Sequence, residues 1–440
     1  MSAIGEHEPA QEAEGAGDTE DAHDVAGASD AVAPAERHDA YAALRTPDFR
    51  LFLGANFLAT LGEQMLAVAI GWELYVRTRS ALALGLVGLV QIIPVILLAL
   101  PAGHLADRRD RRHIVLITEA TIALCSLGLT LLSGAAGPVP LFYACLLVFG
   151  IALAFNTPAN SSLVPQIVPE AVFRNAASWS SSSWQLAAVI GPALGGALIA
   201  LTGYSTVVYL INALTCAVVI GLIAALRSRR TLPPASREPV TLRELGAGFG
   251  FVRRTPVILA AITLDLFAVL LGGAVTLLPI YALDILHVGA TGLGLLRAAP
   301  SVGAVLMALG QAHRPPYRHA GRALLLGVAG FGLATIVFGI SRSFPLSLAM
   351  LLLLGALDNI SVVIRSTLLL TRAPDEIRGR VYAVNGIFVG ASNELGGFES
   401  GLAAAIFGPV LAVVLGGAGT VAVVAAVALI WPQIRRLGKL

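Results

Sequence analysis

Charge is scarce in this chain: 13% of its residues are Asp, Glu, Lys or Arg, while 56% are hydrophobic and the mean hydropathy is +0.80. A soluble chain of 440 residues would need far more polar surface to cover itself, which excludes an ordinary soluble globular protein. Lysine occurs once, at Lys439, so arginine supplies all but one of the 29 basic residues. Cysteine is rarer than histidine; Cys125, Cys145 and Cys216 lie in apolar segments without metal-ligand spacing, so they read as packing residues and report no redox compartment. No histidine falls in the interior of an apolar run, no nucleophile–base pair stands out, and no soluble catalytic segment is evident, so neither an enzyme nor a bound metal or cofactor is expected. The G-x-x-x-x-G-K-[ST] phosphate loop is missing, which argues against direct ATP drive. The polar/apolar alternation of an outer-membrane barrel is missing as well.

What the chain has instead is long apolar runs, each close to the ~20 residues needed to cross a ~30 Å hydrocarbon core. Twelve spans are expected, at 49–76, 82–104, 113–134, 139–163, 174–202, 205–227, 256–284, 289–311, 321–341, 345–371, 377–406 and 409–432. The predicted fold class is an all-α membrane protein with twelve transmembrane helices in two six-helix lobes, 46–227 and 256–440. Residues 1–45 form an expected disordered acidic tail, with eleven acids against Arg37 in the first forty and no basic stretch leading into an apolar signal core. Residues 228–255 form an expected basic linker in which TLRELGAGFGFVRR suits a short amphipathic surface helix. If the amino terminus is cytoplasmic, inside connections and the carboxyl end collect 21 basic residues and outside ones only Arg77, Arg79 and Arg342. That bias predicts both termini inside, on the cytoplasmic membrane.

The two lobes echo each other. An offset of 205–206 places Pro94 on Pro300, Arg108 on Arg314, Arg112 on Arg318, Gly150 on Gly355, Pro169 on Pro374, Gly191 on Gly396, Gly196 on Gly401 and Gly203 on Gly408. Six spans separate the copies, and six is even, so both insert the same way up. Parallel repeats with a site between them are a transporter arrangement.

Between the second and third spans stands GHLADRRDRRHIVL, six charges in its first ten residues. It resembles the G-x-x-x-D-R-x-G-R-R loop of the major facilitator superfamily through Gly103, Asp107, Arg108, Arg111 and Arg112, with Asp110 at the second glycine. The resemblance implies a cytoplasmic gate in which Asp107 meets the positive amino end of span eleven near 375–377, an interaction of order 0.3–1 kcal/mol when exposed. His313 stands at the equivalent of Asp107 in the second lobe, where that acid's role is lost. In span five, Gly191-Pro192 with Gly195 and Gly196 is similar to the G-x-x-x-G-P-x-x-G-G motif of drug:proton antiporters, Ala187 taking its first glycine. Proline bends the helix and the glycines admit a close neighbour. The likeness covers about 45–440 and points toward the twelve-span branch holding enterobactin-type siderophore exporters and macrolide efflux proteins. The same span opens with SWSSSSW, for which helix packing is the default and a cavity wall the sharper reading.

Ionisable groups inside a span cost roughly 2.5–3.5 kcal/mol each on insertion scales, so they point to function. Glu63 beside Gln64 sits in span one, Asp265 in span seven, Asp358, Asn359 and Arg365 in span ten, and Glu394 beside Asn393 in span eleven. The resemblance implies a central cavity lined by spans one, four, seven and ten, which selects Glu63, Asp265, Asp358 and Arg365, with Asn156 and Asn160 as polar wall positions. Asp358 and Arg365, seven apart, could bracket a site; Arg297 needs an acidic partner such as Glu394 or Glu399. Glu119 is expected to face the arginine cluster.

The expected function is secondary active export of a small amphipathic compound, drug-like or siderophore-like, by alternating access and proton antiport through Asp265 or Asp358. An importer or facilitator of the same fold is the alternative, and the Gly-Pro motif weighs against it. The expected partners are a small-molecule substrate, protons and the lipid bilayer, without nucleic acid, and the chain is expected to act as a monomer.

Overall fold

The structure, a computed structural model, describes residues 39–227, 242–315 and 317–438, without the side chains of 107, 242–245, 247, 375, 376 and 383. The expected acidic tail, apart from its last residues, and the linker segment 228–241 lie outside this range. Thirteen principal helices are found among the described residues. In the first lobe these are α1 (Pro47–Thr78), α2 (Ala81–Arg108), α3 (Arg111–Gly134), α4 (Val139–Ser161), α5 (Phe173–Thr202) and α6 (Thr206–Ala224). Then follow α7 (Leu242–Arg254), α8 (Pro256–Leu271), α9 (Gly289–Ala312), α10 (Ala320–Ile340), α11 (Phe344–Arg372), α12 (Asp375–Phe407) and α13 (Pro409–Ile430).

Eleven helical stretches among the described residues are long and apolar enough to cross a membrane, each 19 to 33 residues. The twelfth, α12, has the length at 33 residues. It falls short in hydropathy because Asn385, Ser392, Asn393, Glu394, Glu399 and Ser400 are spaced along it. A helix that polar crosses a bilayer only against other helices.

The packing is pseudo-symmetric, helix for helix. In the first lobe α1 packs on α5 and α6, α2 on α4, and α3 on α4 and α6; in the second, α8 packs on α12 and α13, α9 on α11, and α10 on α11 and α13. Across the lobes, α5 meets α9 and α12 meets α2, again equivalent pairs. The repeated residues explain why. An added methyl at Gly150 would meet Gln91 O at 2.7 Å and the Pro94 ring at 2.8 Å, and one at Gly355 would strike Pro300. Gly191 lies against Gln64 and Leu61 of α1, while Gly396 lies against Leu270 and Val269 of α8. Gly203 and Gly408, with φ of 78° and 84°, end α5 and α12 in the left-handed region that glycine occupies without penalty.

The lobes touch at one end and part at the other. At the arginine-poor end, which carries the connections near 79, 136, 204, 287, 342 and 408, Gly85 of α2 faces Gly401 and Phe398 of α12, and Gly196 faces Gly294. Towards the arginine-rich end the same helices diverge: Gly103 of α2 and Gly379, Gly386 and Gly390 of α12 have open space where a side chain would go. Between α5 and α9 the gap is a lateral groove of about 460 Å³ along Ser181–Val189 and Val302–Leu309.

Span seven is broken, where the sequence suggests one continuous helix. Helix α8 stops at Leu271, Gly272-Gly273 intervene, and the chain resumes as a 3-10 turn (Ala274–Leu277), a helical turn (Leu278–Ile280) and a π-helical turn (Tyr281–Ile285). Gly272 lies against Phe331, and Gly273 against Ser400 and Gly396, so neither position has room for a side chain. Helix α7 docks on the second lobe: Val252 is buried among Ile258, Leu369, Val381 and Val384, and Gly248 lies 2.9 Å by its would-be methyl from Arg380 O.

Candidate functional site

A cavity of about 570 Å³ lies between the lobes, within the range of small-molecule sites. Its walls come from α1, α2 and α4 on one side and from span seven, α9, α10, α11 and α12 on the other. Apolar surface is supplied by Leu66, Phe149, Phe331 and Leu354; amides by Gln64, Gln91 and Asn393; charge by Glu63, Asp358, Glu394 and Arg297. The Gly272–Thr276 break also reaches the wall, which puts peptide groups of a discontinuous helix in reach of a ligand.

Of the residues selected from sequence, Glu63, Asp358 and Glu394 stand on this wall. Glu394 folds over Gly88 of α2, whose missing side chain leaves it room, and it interacts electrostatically with Arg297. Among the described residues, Glu63 and Asp358 have no basic group within ion-pair distance. Asp265 and Arg365 are elsewhere. They form an ion pair with each other between α8 and α11, with side chains 7% and 6% exposed, so Arg365 is spoken for and Asp358 is left uncompensated.

The two asparagines are also off the wall. Asn156 donates to Thr118 Oγ1 at 2.9 Å and to Glu119 Oε1 at 3.1 Å, and Asn160 donates to Asn56 Oδ1 at 2.8 Å. Glu119 therefore binds Asn156 rather than the arginine cluster. The arginines are otherwise engaged: Arg111 donates to Ala106 O and Ser162 O at 3.2 and 3.1 Å, and Arg112 to Leu226 O at 2.9 Å and to Ala224 O. Both guanidiniums thus occupy the carbonyl ends of helices, where a cation is favoured by the dipole. Arg108 is exposed. Asp110, at the second-glycine position, caps α3 by accepting from the Arg112 N–H at 2.9 Å and contacts His113 at 3.0 Å. Burial by itself would push this carboxyl up, but the hydrogen bonds of His113 and of the Arg112 N–H outweigh it and hold its pKa below the ordinary aspartate range. The expected approach of Asp107 to the positive amino end of span eleven near 375–377 rests on the side chain of 107, which lies outside those described.

The Gly-Pro motif clasps two helices at once. Gly191 and Gly195 receive Gln64 and Met65 of α1, within the lobe; Gly196 and the Pro192 carbonyl receive Gly294 of α9, across the lobes. The serine-rich opening of α5 does other work: Trp179 Nε1 and Asn175 Nδ2 donate to Ala40 O at 3.0 and 2.7 Å, and the Tyr41 ring packs tilted against Trp179, centroids 5.9 Å apart, so the chain entering α1 is fixed there.

Two features escape a reading of the sequence. One is Gln91 on the wall, an amide with nothing to distinguish it from other span glutamines. The other is a bridge between the lobes at the arginine-poor end. Asp284, in the π-helical turn, accepts from Arg79 Nη1 at 2.8 Å and from Tyr75 Oη, and the Arg79 guanidinium lies 5.6 Å from the Tyr75 ring. Arg79 holds a left-handed φ of 48° at the end of α1. Charges at span ends signal topology in sequence, and their pairing across 205 positions is visible only in three dimensions.

The sequence pattern of the Major Facilitator Superfamily matches residues 52–397, and the chain belongs to that family. Relatives include the enterobactin exporter EntS of Citrobacter koseri, 27% identical over 396 residues that cover 89% of this chain and 93% of that protein. The multidrug efflux pump Tap of Mycolicibacterium fortuitum is 28% identical over 357 residues, 79% of this chain and 86% of the pump. Among solved structures, the nucleoside transporter NupG superposes with a TM-score of 0.68 at 12% identity, covering 87% of this chain and 98% of that one. A bacterial homologue of the human lysosomal transporter Spinster, inward-facing and occupied, gives 0.67 at 16% identity over 90% and 97% of the two chains. Family, relatives and neighbours alike are membrane transporters, and the fold expected from sequence is the fold found.

Proposed function

For this member of the Major Facilitator Superfamily, we propose secondary active export of a small amphipathic organic compound across the cytoplasmic membrane, by alternating access and in exchange for protons, with the chain acting as a monomer. One observation carries the reading: a cavity between pseudo-symmetric lobes that holds uncompensated carboxyls and widens towards one end only. The widened end is the arginine-rich one. Basic connections remain on the cytoplasmic side, so the arrangement corresponds to a cavity open to the cytoplasm, with both termini there.

The chemistry follows from what the walls can exchange. A carboxyl in a low-dielectric cavity without a basic partner is stable either protonated or neutralised by something bound beside it. Glu63, Asp358 and, beside Arg297, Glu394 therefore give up protons when substrate enters and regain them from the outer compartment after the lobes rock. The efflux functions of the EntS and Tap relatives support the direction. Reconstitution of the full chain in liposomes tests it: a pH gradient should drive substrate movement, and Asp358→Asn with Glu63→Gln should abolish that drive, so that any movement left no longer responds to the gradient. Uptake along with protons, or unaltered coupling in the double variant, contradicts the proposal.

A further inference from the structure

The charge on the cavity wall points to the sign of the substrate. Three carboxyls, Glu63, Asp358 and Glu394, face one guanidinium, that of Arg297. Arg297, on α9, interacts with Glu394, and Arg365, on the same helix α11 as Asp358, is tied to Asp265 outside the cavity. The surplus thus falls on Glu63, from the first lobe, and Asp358, from the second. They stand on opposite halves of a wall otherwise made of aliphatic and aromatic side chains, amides and peptide groups. We propose, building on the export reading, that the substrate is an amphipathic cation whose positive group is held by Glu63 and Asp358 while its apolar body lies against Phe149, Phe331 and neighbouring aliphatic side chains.

The physics is one-sided. Between low-dielectric walls, two carboxylates attract a monocation and repel an anion of the same shape, even in a cavity that opens at one end. For an organic anion the cationic partner on this wall is Arg297, which is already answered by Glu394. A neutral compound would leave both carboxyls to be satisfied by protons alone and would gain nothing from ionised walls. Carboxyls on both lobes also give a cation contacts that straddle the moving parts, so its presence bears on how the lobes sit, as exchange requires.

Tetraphenylphosphonium (cation) and tetraphenylborate (anion) share four phenyl groups and separate the signs, while triphenylphosphine oxide, with three phenyl groups, is the neutral reference for the variants. Equilibrium dialysis against the purified full chain in detergent, corrected with protein-free micelles, should show saturable binding of the phosphonium and clearly weaker binding of the other two. Glu63→Gln and Asp358→Asn should each weaken the phosphonium roughly tenfold and leave the phosphine oxide unchanged. Saturable binding of the borate or the oxide at least as tight as that of the phosphonium overturns the inference, and so does full phosphonium affinity in both variants. The sign preference is read on the unmodified chain, so misfolding of a variant does not hide the answer. If the borate or oxide wins while a pH gradient still drives export, the charge inference fails alone; if no probe binds and no gradient-driven movement occurs, the export reading fails with it.

Discussion

A single added methyl at Gly196 should pry the lobes apart. Built on the backbone, it would lie 2.8 Å from Gly294 Cα and 2.9 Å from Gly294 N, where ordinary contact begins at 3.4 Å, and the Ala290 carbonyl oxygen is closer still. All of these atoms are backbone, so no side chain can swing aside. The Ala290 oxygen, the nearest of them, sets the displacement: the two helices must separate by about 1.0 Å to restore 3.4 Å. Overpacking of this kind costs about 1–3 kcal/mol. Because α5 and α9 belong to different lobes, that energy acts on the equilibrium between closed and opened arginine-poor ends, a shift of about 5- to 150-fold towards opening. Gly191→Ala is the control. Its methyl meets Gln64 Cβ at 2.6 Å and Leu61 O at 3.0 Å, both on α1, so the strain remains within one lobe. Spin labels at the exposed positions Ala135 and Arg342 report the separation of the arginine-poor end in a chain freed of Cys125, Cys145 and Cys216. Gly196→Ala should move the distance distribution to longer values, and Gly191→Ala should lower thermal stability with the distribution in place. An unmoved distribution in Gly196→Ala, or an equal shift in both variants, refutes the reasoning.

The bridge at the same end is weaker, with Arg79 59% and Asp284 42% exposed, so Asp284→Asn should cost at most about 1 kcal/mol and raise thiol labelling of cavity cysteines from the outer face only a few-fold. The Asp265–Arg365 pair is buried, and Asp265→Asn should destabilise by roughly 3–5 kcal/mol because it strands a guanidinium; replacing both with Asn and Met should recover most of the loss in thermal unfolding, and failure to recover would show that the pair does more than compensate itself. Asp110→Ala should cost about 1 kcal/mol of α3 capping and Asp110→Asn far less, since either acid or amide can cap. With its folded pKa held below the unfolded value, Asp110 contributes fully above the ordinary aspartate range and loses that contribution as pH falls through the lowered value, so melting scans of wild type and Asp110→Asn should converge in acid.

Much of the fold was legible because a membrane span is a one-dimensional signal. Apolar length marks each helix, and the 205–206 offset marks the repeat, whose Gly150/Gly355, Gly191/Gly396 and Gly196/Gly401 pairs sit at equivalent helix crossings. Three kinds of feature resisted. The Gly272-Gly273 break reads in sequence as part of one apolar run, since glycine neither lowers hydropathy much nor forces a turn; only the crowding of Phe331 and Ser400 around it shows the helix ending. Facing was the second: Glu63, Asp265 and Asp358 look alike as intramembrane acids, yet Asp265 is matched by Arg365 one helix away and the others face the cavity. Partners distant in sequence were the third, as with Glu119 and Asn156, or Arg79 and Asp284.

Cross-linking across the Arg79–Asp284 bridge tests the central claim most directly. With cysteines at both positions in the cysteine-free background and a short, reducible bis-thiosulfonate joining them, the arginine-poor end is tied shut. Gradient-driven efflux of the phosphonium probe from liposomes should stop when the link forms and return on reduction, while probe binding persists throughout. Efflux that continues at its full rate with the link in place would mean the lobes need not part there, and the account of a cavity exposed to one side at a time would be wrong.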